Sequence, residues 1–178
     1  MQIQQFYDEG LAHASYAILS QGKIALVDPG RNPQLYRDFG SAHAAQIVAV
    51  IETHPHADFV SSHLEFHQNE GATIYVSKLV GAAYPHVGFD QGDSFALGEV
   101  TLHALPTPGH SPDSISILLK DSEGKDHALF SGDTLFIGDV GRPDLREKAG
   151  NLTAQREELA KMMYHTVQRQ LKPLADEV

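Results

Sequence analysis

At 178 residues, with 42% apolar and 20% charged residues, the chain is long enough for one domain with a sizeable core and short for two. A formal net charge of −10, with no basic run to reverse it locally, argues against nucleic acid or an anionic membrane surface as partner. The absence of Cys excludes a disulfide framework, a thiolate metal site and a cysteine nucleophile within the chain, and fits a reducing compartment.

Met1 to Glu9 are polar, with no apolar signal region behind a basic start, and no apolar run approaches bilayer length. A cytoplasmic location is expected. Ile3 to Tyr7 reads as an opening strand. His13 to Ser20 and Lys23 to Val27 flank Gln21-Gly22 and read as a β-hairpin. Asp28-Pro29-Gly30 is a turn, and Asn32-Pro33 opens a helix running towards His43, a cap followed by proline at the first helical position.

Ile47 to Ile51 is a short run rich in β-branched residues and reads as a fully buried strand. A helix is expected from Asp58 to Glu70, ending at Gly71, and then a strand from Ala72 to Val76. Between Ser77 and Gly92 the breakers Gly81, Pro85 and Gly88 interrupt any period. Ser94 to Leu97 and Val100 to Ala104 form a hairpin around Gly98-Glu99. The loop from Pro106 to His110 follows, because two prolines oppose a regular ladder there. Ser114 to Lys120 pairs with His127 to Phe130 across a polar turn. A long loop is expected from Thr134 to Asn151. An amphipathic helix follows, with Leu159, Met162, Met163, Val167 and Leu171 at helical spacing and Thr153 as its cap. The pattern is an α/β chain with much antiparallel sheet and no internal linker, read as one domain over residues 1–178.

Chemistry concentrates in Glu52-Thr53-His54-Pro55-His56-Ala57-Asp58, where two imidazoles and a carboxylate leave the end of the buried strand. Ligands bind at that end of open sheets, and hydrated polar groups gain nothing from clustering unless a cation holds them. Of the eleven histidines, His43, His67, His86, His127 and His165 have no metal-type neighbours and read as surface residues. His110 alone reads as a turn histidine, and Asp133 alone as a turn residue capping Thr134 or Leu135. Their joint order is more specific than either.

Thr-His-x-His-x-Asp at Thr53 to Asp58, Thr-Pro-Gly-His-Ser at Thr107 to Ser111, Ser-Gly-Asp-Thr-Leu-Phe at Ser131 to Phe136, and the early Val-Asp-Pro-Gly turn resemble the metallo-β-lactamase superfamily. The resemblance implies an αββα sandwich with metal at one sheet edge. The family motif has a histidine after the aspartate, and here that position is Phe59, which has no lone pair to offer a second metal. Gly138 to Leu145 is similar to a segment of persulfide dioxygenases, also called sulfur dioxygenases. Thr53 to His63 is similar to their rhodanese-fused bacterial forms. That branch holds one iron, and its ligands carry over to His54, His110 and Asp133.

Two histidines and one carboxylate leave open positions for substrate and O₂, the arrangement of non-haem Fe(II) oxygenases. The implied reaction turns a low-molecular-weight thiol persulfide and O₂ into thiol and sulfite. His56 and Asp58 would orient ligands or bound water. Arg142 would pair with an anionic part of the substrate or, structurally, with Asp144. The chain stops at Leu174 to Val178, where the family continues into another strand and a histidine-bearing loop, and so reads as a truncated domain. An attached rhodanese domain beyond Val178 and a homo-oligomer both fit the resemblance.

Two other readings compete. One is a mononuclear zinc hydrolase of the glyoxalase II type, with His54, His56 and His110 as a three-histidine site. The other is a degenerate, non-catalytic docking module.

Overall fold

The structure, a computed structural model, describes the backbone of residues 1–144 and 152–178, and side chains except those of residues 152–154. The hairpin around Gln21-Gly22 forms as expected: β2 (His13–Ser20) pairs antiparallel with β3 (Lys23–Val27), and β1 (Gln2–Asp8) pairs with β2 from outside. Two short crossovers then make the sheet parallel. After β3 come α1 (Gln34–Ala42) and β4 (Gln46–Ile51), then α2 (His63–Glu70) and β5 (Thr73–Val76). With the short β6 (Val87–Gly88), these strands form one sheet in the order β1-β2-β3-β4-β5-β6. The second sheet is antiparallel, in the order β10-β9-β8-β7, from β7 (Ser94–Leu97), β8 (Val100–Pro106), β9 (Ile115–Lys120) and β10 (Asp126–Phe130).

Side-chain alternation decides what each face buries. Ile18, Ala25, Val27, Ala49 and Ile51 of the first sheet meet Leu102, Ala104, Ile117, Leu119 and Phe130 of the second in one core. The alternate residues Ala17, Ile24, Leu26 and Val50 pack on the opposite face with Tyr36 of α1 and Phe66 of α2. Each Val, Leu or Ile among them contributes about 1.5–3 kcal/mol on burial, so β3 and β4, covered on both faces, are the stable frame. The architecture is a mixed α/β sandwich, two facing sheets with few helices, as the resemblance implies.

The helix expected from Asp58 begins five residues later. Ser62 Oγ donates to Gly30 O at 2.7 Å, and Ser61 Oγ to Glu52. These bonds fold residues 58–62 back against the Asp28-Pro29-Gly30 turn instead of continuing the helix. β8 runs on to Pro106, which lies opposite Ile115. Its partner β7 pairs only as far as His103, so the absent proline N–H is missed by no neighbour on that side. Within the expected long loop, β11 (Leu135–Phe136) and β12 (Asp139–Val140) make a small hairpin. The rest of that loop from 145 to 151, and Thr153 as a cap, lie outside the residues whose side chains and loop geometry are described. Between Ser77 and Gly92, a single helical turn covers Lys78–Val80 ahead of β6. The last helix, α3 (Leu152–Thr166), ends in a wider helical turn over Val167–Leu171, with Leu159, Met163 and Leu171 buried. Among the described residues, no helix is long and apolar enough to cross a membrane.

Candidate metal centre

Four strands deliver polar residues to one edge of the sandwich. The parallel strands β3 and β4 end just before Asp28 and the Glu52–His56 stretch. β8 and β10, both antiparallel to β9, run out towards His110 and Asp133. Ile115 N–H donates to Thr53 O at 2.8 Å and ties the two sheets together at this edge.

There His54, His110 and Asp133 converge. His54 Nε2 lies 3.7 Å and His110 Nε2 3.5 Å from Asp133 Oδ2. One donor atom from each falls within 4.8 Å of the other two. Those separations suit ligands about 2.1 Å from a shared ion. Both rings are held by their far nitrogens. Thr53 Oγ1 donates to Asp28 Oδ2 at 2.7 Å, so at its 3.1 Å contact with His54 it accepts the Nδ1 proton. His110 Nδ1 donates to the Arg142 carbonyl at 3.0 Å. Each imidazole therefore turns an Nε2 lone pair to the centre, the usual way a protein fixes a metal-binding tautomer. Burial, and then the neighbouring His56, bring the His54 pKa down to about 4, which keeps that lone pair free of a proton at neutral pH. The donor set fits a divalent cation.

Glycines allow this convergence. A Cβ on Gly141 would stand 1.7 Å from Asp133 O and 2.9 Å from His110 Cβ. Gly132, at φ +50°, places its α-carbon against Thr53, where a Cβ would meet Oγ1 at 2.3 Å. The Pro108-Gly109-His110 loop is pinned by α3: Thr166 Oγ1 donates to Pro108 O at 2.7 Å, and Met163 fills the space beside Gly109.

His56, expected beside the first histidine, is brought to the edge with its Nε2 turned to two carboxylates. Its Nε2 is 3.2 Å from Asp28 Oδ1 and 3.8 Å from Glu52 Oε2, charge contacts without the alignment of a hydrogen bond. Burial opposes the His56 charge, yet the Asp28 and Glu52 carboxylates push its pKa up to about 9. Asp28 is held below the ordinary carboxylate range: burial works against its charge, and His56 with the Thr53 hydroxyl outweighs it. Glu52 moves the other way, raised mainly by burial. Asp58 is exposed and belongs to neither cluster. Arg142 pairs its side chain with Asp144 through two bonds of 2.6 and 2.9 Å, and its backbone carbonyl is what serves His110.

Phe59 does not reach the centre. Its ring packs on His13 at 4.1 Å and on His56 at 4.3 Å between centroids. His13, His63, Glu52 and Asp28 had no metal-type role assigned from sequence. Glu52 and Asp28 stood in the stretches that carried the chemistry, as the residue preceding the motif and in the turn after β3. His13 and His63 offered no signal, because only the folding of β2 and α2 against the loop brings them in. His43, His67 and His86 donate to nearby backbone carbonyls, and His127 and His165 are exposed, in keeping with their reading as surface residues.

A two-sheet sandwich with imidazoles and carboxylates gathered at one edge offers a donor set for a metal ion. The profile of the metallo-beta-lactamase superfamily matches residues 8–167, and the chain belongs to that superfamily. A metallo-beta-lactamase structure from Staphylococcus aureus subsp. aureus COL superposes on all of the chain at TM-score 0.88 and 33% identity, using 54% of its own length. The human mitochondrial persulfide dioxygenase ETHE1 is 30% identical across 84% of this chain and 54% of itself. The cytoplasmic hydroxyacylglutathione hydrolase of Arabidopsis thaliana is 32% identical across 72% of this chain and 51% of itself. The chain thus spans about half the length of these relatives, and dioxygenase and hydrolase stand at similar distance from it.

Proposed function

We propose that the chain carries an iron-dependent persulfide dioxygenase site, with His54, His110 and Asp133 holding one Fe(II). The observation that supports this reading is the convergence of two imidazoles and one carboxylate while Phe59 occupies the position of a further ligand. Bound there, ferrous iron would supply a Lewis-acid site for sulfur and an electron for dioxygen, which zinc lacks.

The chain's own groups do the rest. Thr53 and the Arg142 carbonyl hold the two rings in their ligating tautomer. Beside Asp133 a cavity of about 560 Å³ is walled by Tyr16, Phe130, Phe136 and Ile137, with His13 and His56 on its floor. It would take the organic part of a small thiol persulfide and leave the terminal sulfur facing Asp133. One persulfide, one dioxygen and one water give one thiol and one sulfite. A glyoxalase-type zinc hydrolase remains the second reading, favoured by the likeness to hydroxyacylglutathione hydrolases. It needs either a second metal, where Phe59 stands, or His56 as third imidazole, where its Nε2 is turned to Asp28.

The test is an oxygen-electrode trace on anaerobically Fe(II)-loaded protein given a thiol persulfide, with sulfite assayed at the end. Oxygen uptake with matching sulfite is expected, and zinc-loaded protein should leave oxygen untouched. Thioester cleavage without oxygen uptake would sink the dioxygenase reading.

A further inference from the structure

We infer that Thr134 is a positioning residue for the Asp133 carboxylate, acting through a buried chain of hydroxyls that ties the Asp133 loop to the His110 loop. This rests on the His54–His110–Asp133 centre proposed above, but not on the reaction carried out there.

The three ligand-type side chains are not held alike. His54 and His110 are each fixed through Nδ1, by the Thr53 hydroxyl and the Arg142 carbonyl. Among the described residues, the Asp133 carboxylate accepts no hydrogen bond, and its ion-pair contacts are those same two imidazoles at 3.7 and 3.5 Å. Its aim therefore depends on the backbone of the single helical turn Gly132–Thr134.

Thr134 anchors that turn. Its hydroxyl donates to Thr107 O at 3.4 Å and lies 3.1 Å from Thr107 Oγ1, which lies 2.9 Å from Ser116 Oγ. Each hydroxyl has one proton to give. With the Thr134 proton on Thr107 O, Thr107 donates to Thr134 and Ser116 donates to Thr107. The chain of bonds runs one way and ends on a carbonyl. Thr107, Ser116 and Thr134 are 0%, 0% and 1% exposed, so water cannot replace a lost partner.

The ends of this chain explain what it controls. Ser116 belongs to β9, the strand between β8 and β10. Thr107 follows β8 and leads into His110, whereas Thr134 follows Asp133 beyond the end of β10. Thr107 N–H also donates to Ser114 O at 2.9 Å, which holds the root of the His110 loop beside β9. The hydroxyls thus set the separation of two loops whose ligand atoms stand 3.5 Å apart. Mere filling of a dry site would be cheaper with valine, which has the same shape and no polar atom to satisfy.

Cobalt(II) is the probe, because its visible absorption bands report ligand geometry and its titration gives affinity. Thr134→Val keeps the side-chain shape and removes the hydroxyl. It should weaken cobalt binding roughly tenfold and shift the bands, and Thr134→Ser should restore both. Ile24→Val, which loosens the core beneath α1, should lower the melting temperature and leave the bands unchanged. In the wild-type chain the Thr134 hydroxyl proton should exchange slowly with water by NMR, a measurement that needs no variant to fold. Wild-type bands and affinity in Thr134→Val would overturn the inference, as would a Thr134→Ser protein no better than Thr134→Val. So would the same band shift in Ile24→Val, or fast exchange of the hydroxyl proton. A wild-type chain that binds no cobalt would remove the centre itself and this inference with it. None of these readouts is oxygen uptake, so the role of Thr134 and the assigned reaction fail separately.

Discussion

Two clusters of the same residue types sit side by side at one sheet edge, joined through Thr53, and they differ in how they are closed. His54, His110 and Asp133 have a carboxylate side chain 43% exposed and, among the described residues, no hydrogen bond on the two inward-facing Nε2 atoms. Asp28, Glu52 and His56 have side chains 4%, 6% and 7% exposed and face one another as opposite charges. The first arrangement has lone pairs to spare and a path to a cavity. The second is neutralised from within. The difference teaches that the same residue types can present free lone pairs in one cluster and meet one another's charge in the next.

The largest effect should come from dismantling the open cluster. His54→Ala, His110→Ala and Asp133→Ala should each abolish stoichiometric metal binding, measured by elemental analysis after dialysis. His56→Ala belongs to the other cluster and should lower affinity only by roughly ten- to a hundredfold. A loss in His56→Ala as complete as in His54→Ala would erase the distinction between the two.

Filling the contact between the strand-end loops is expected to come next. In Gly141→Ala the new methyl group meets Asp133 O, and the loop must shift. Thermal melts should register a loss of about 1–3 kcal/mol, the usual cost of overpacking, together with weakened metal binding. Gly109→Ala, which presses on Met163 instead, should show the same loss of stability with a smaller change in metal affinity.

Thr53→Val cuts the link between the clusters while keeping the shape of the side chain. His54 Nδ1 and Asp28 Oδ2 each lose a partner, so a stability loss of about 1–3 kcal/mol is expected. Metal affinity should fall roughly tenfold. An unchanged affinity in a folded variant would mean that the two clusters are independent.

The smallest effect is expected at Arg142. Its side chain pairs with Asp144 at the surface, and its role towards His110 is played by the backbone. Arg142→Ala should therefore leave metal content as it is. A sharp rise in the KM for a persulfide would instead restore the anion-pairing role expected from its sequence context.

Legibility followed the range of the interaction. The hairpin at Gln21-Gly22, the buried run of β4 and the Asn32-Pro33 helix start depend on turn chemistry and local periodicity, and all three form where the sequence places them. The start of α2 was misplaced because Ser61 and Ser62 bond to Glu52 and Gly30, partners up to 32 residues away. The β11–β12 hairpin is two residues a side, too short for alternation to reveal.

The sequence by itself determined the fold class and supplied the three side chains that now converge, because strand-end loops carrying His54, His110 and Asp133 stand in a readable order. Only the tertiary structure decided which nitrogens face inward. The direction of His56 Nε2 depends on Asp28 and Glu52 meeting it across two parallel strands. The tautomers of His54 and His110 depend on a hydroxyl and a carbonyl that only the fold brings within 3.1 Å. Spacing along a chain fixes which loops leave a sheet edge together. The direction of a lone pair is set by partners from other loops, and no linear pattern encodes that.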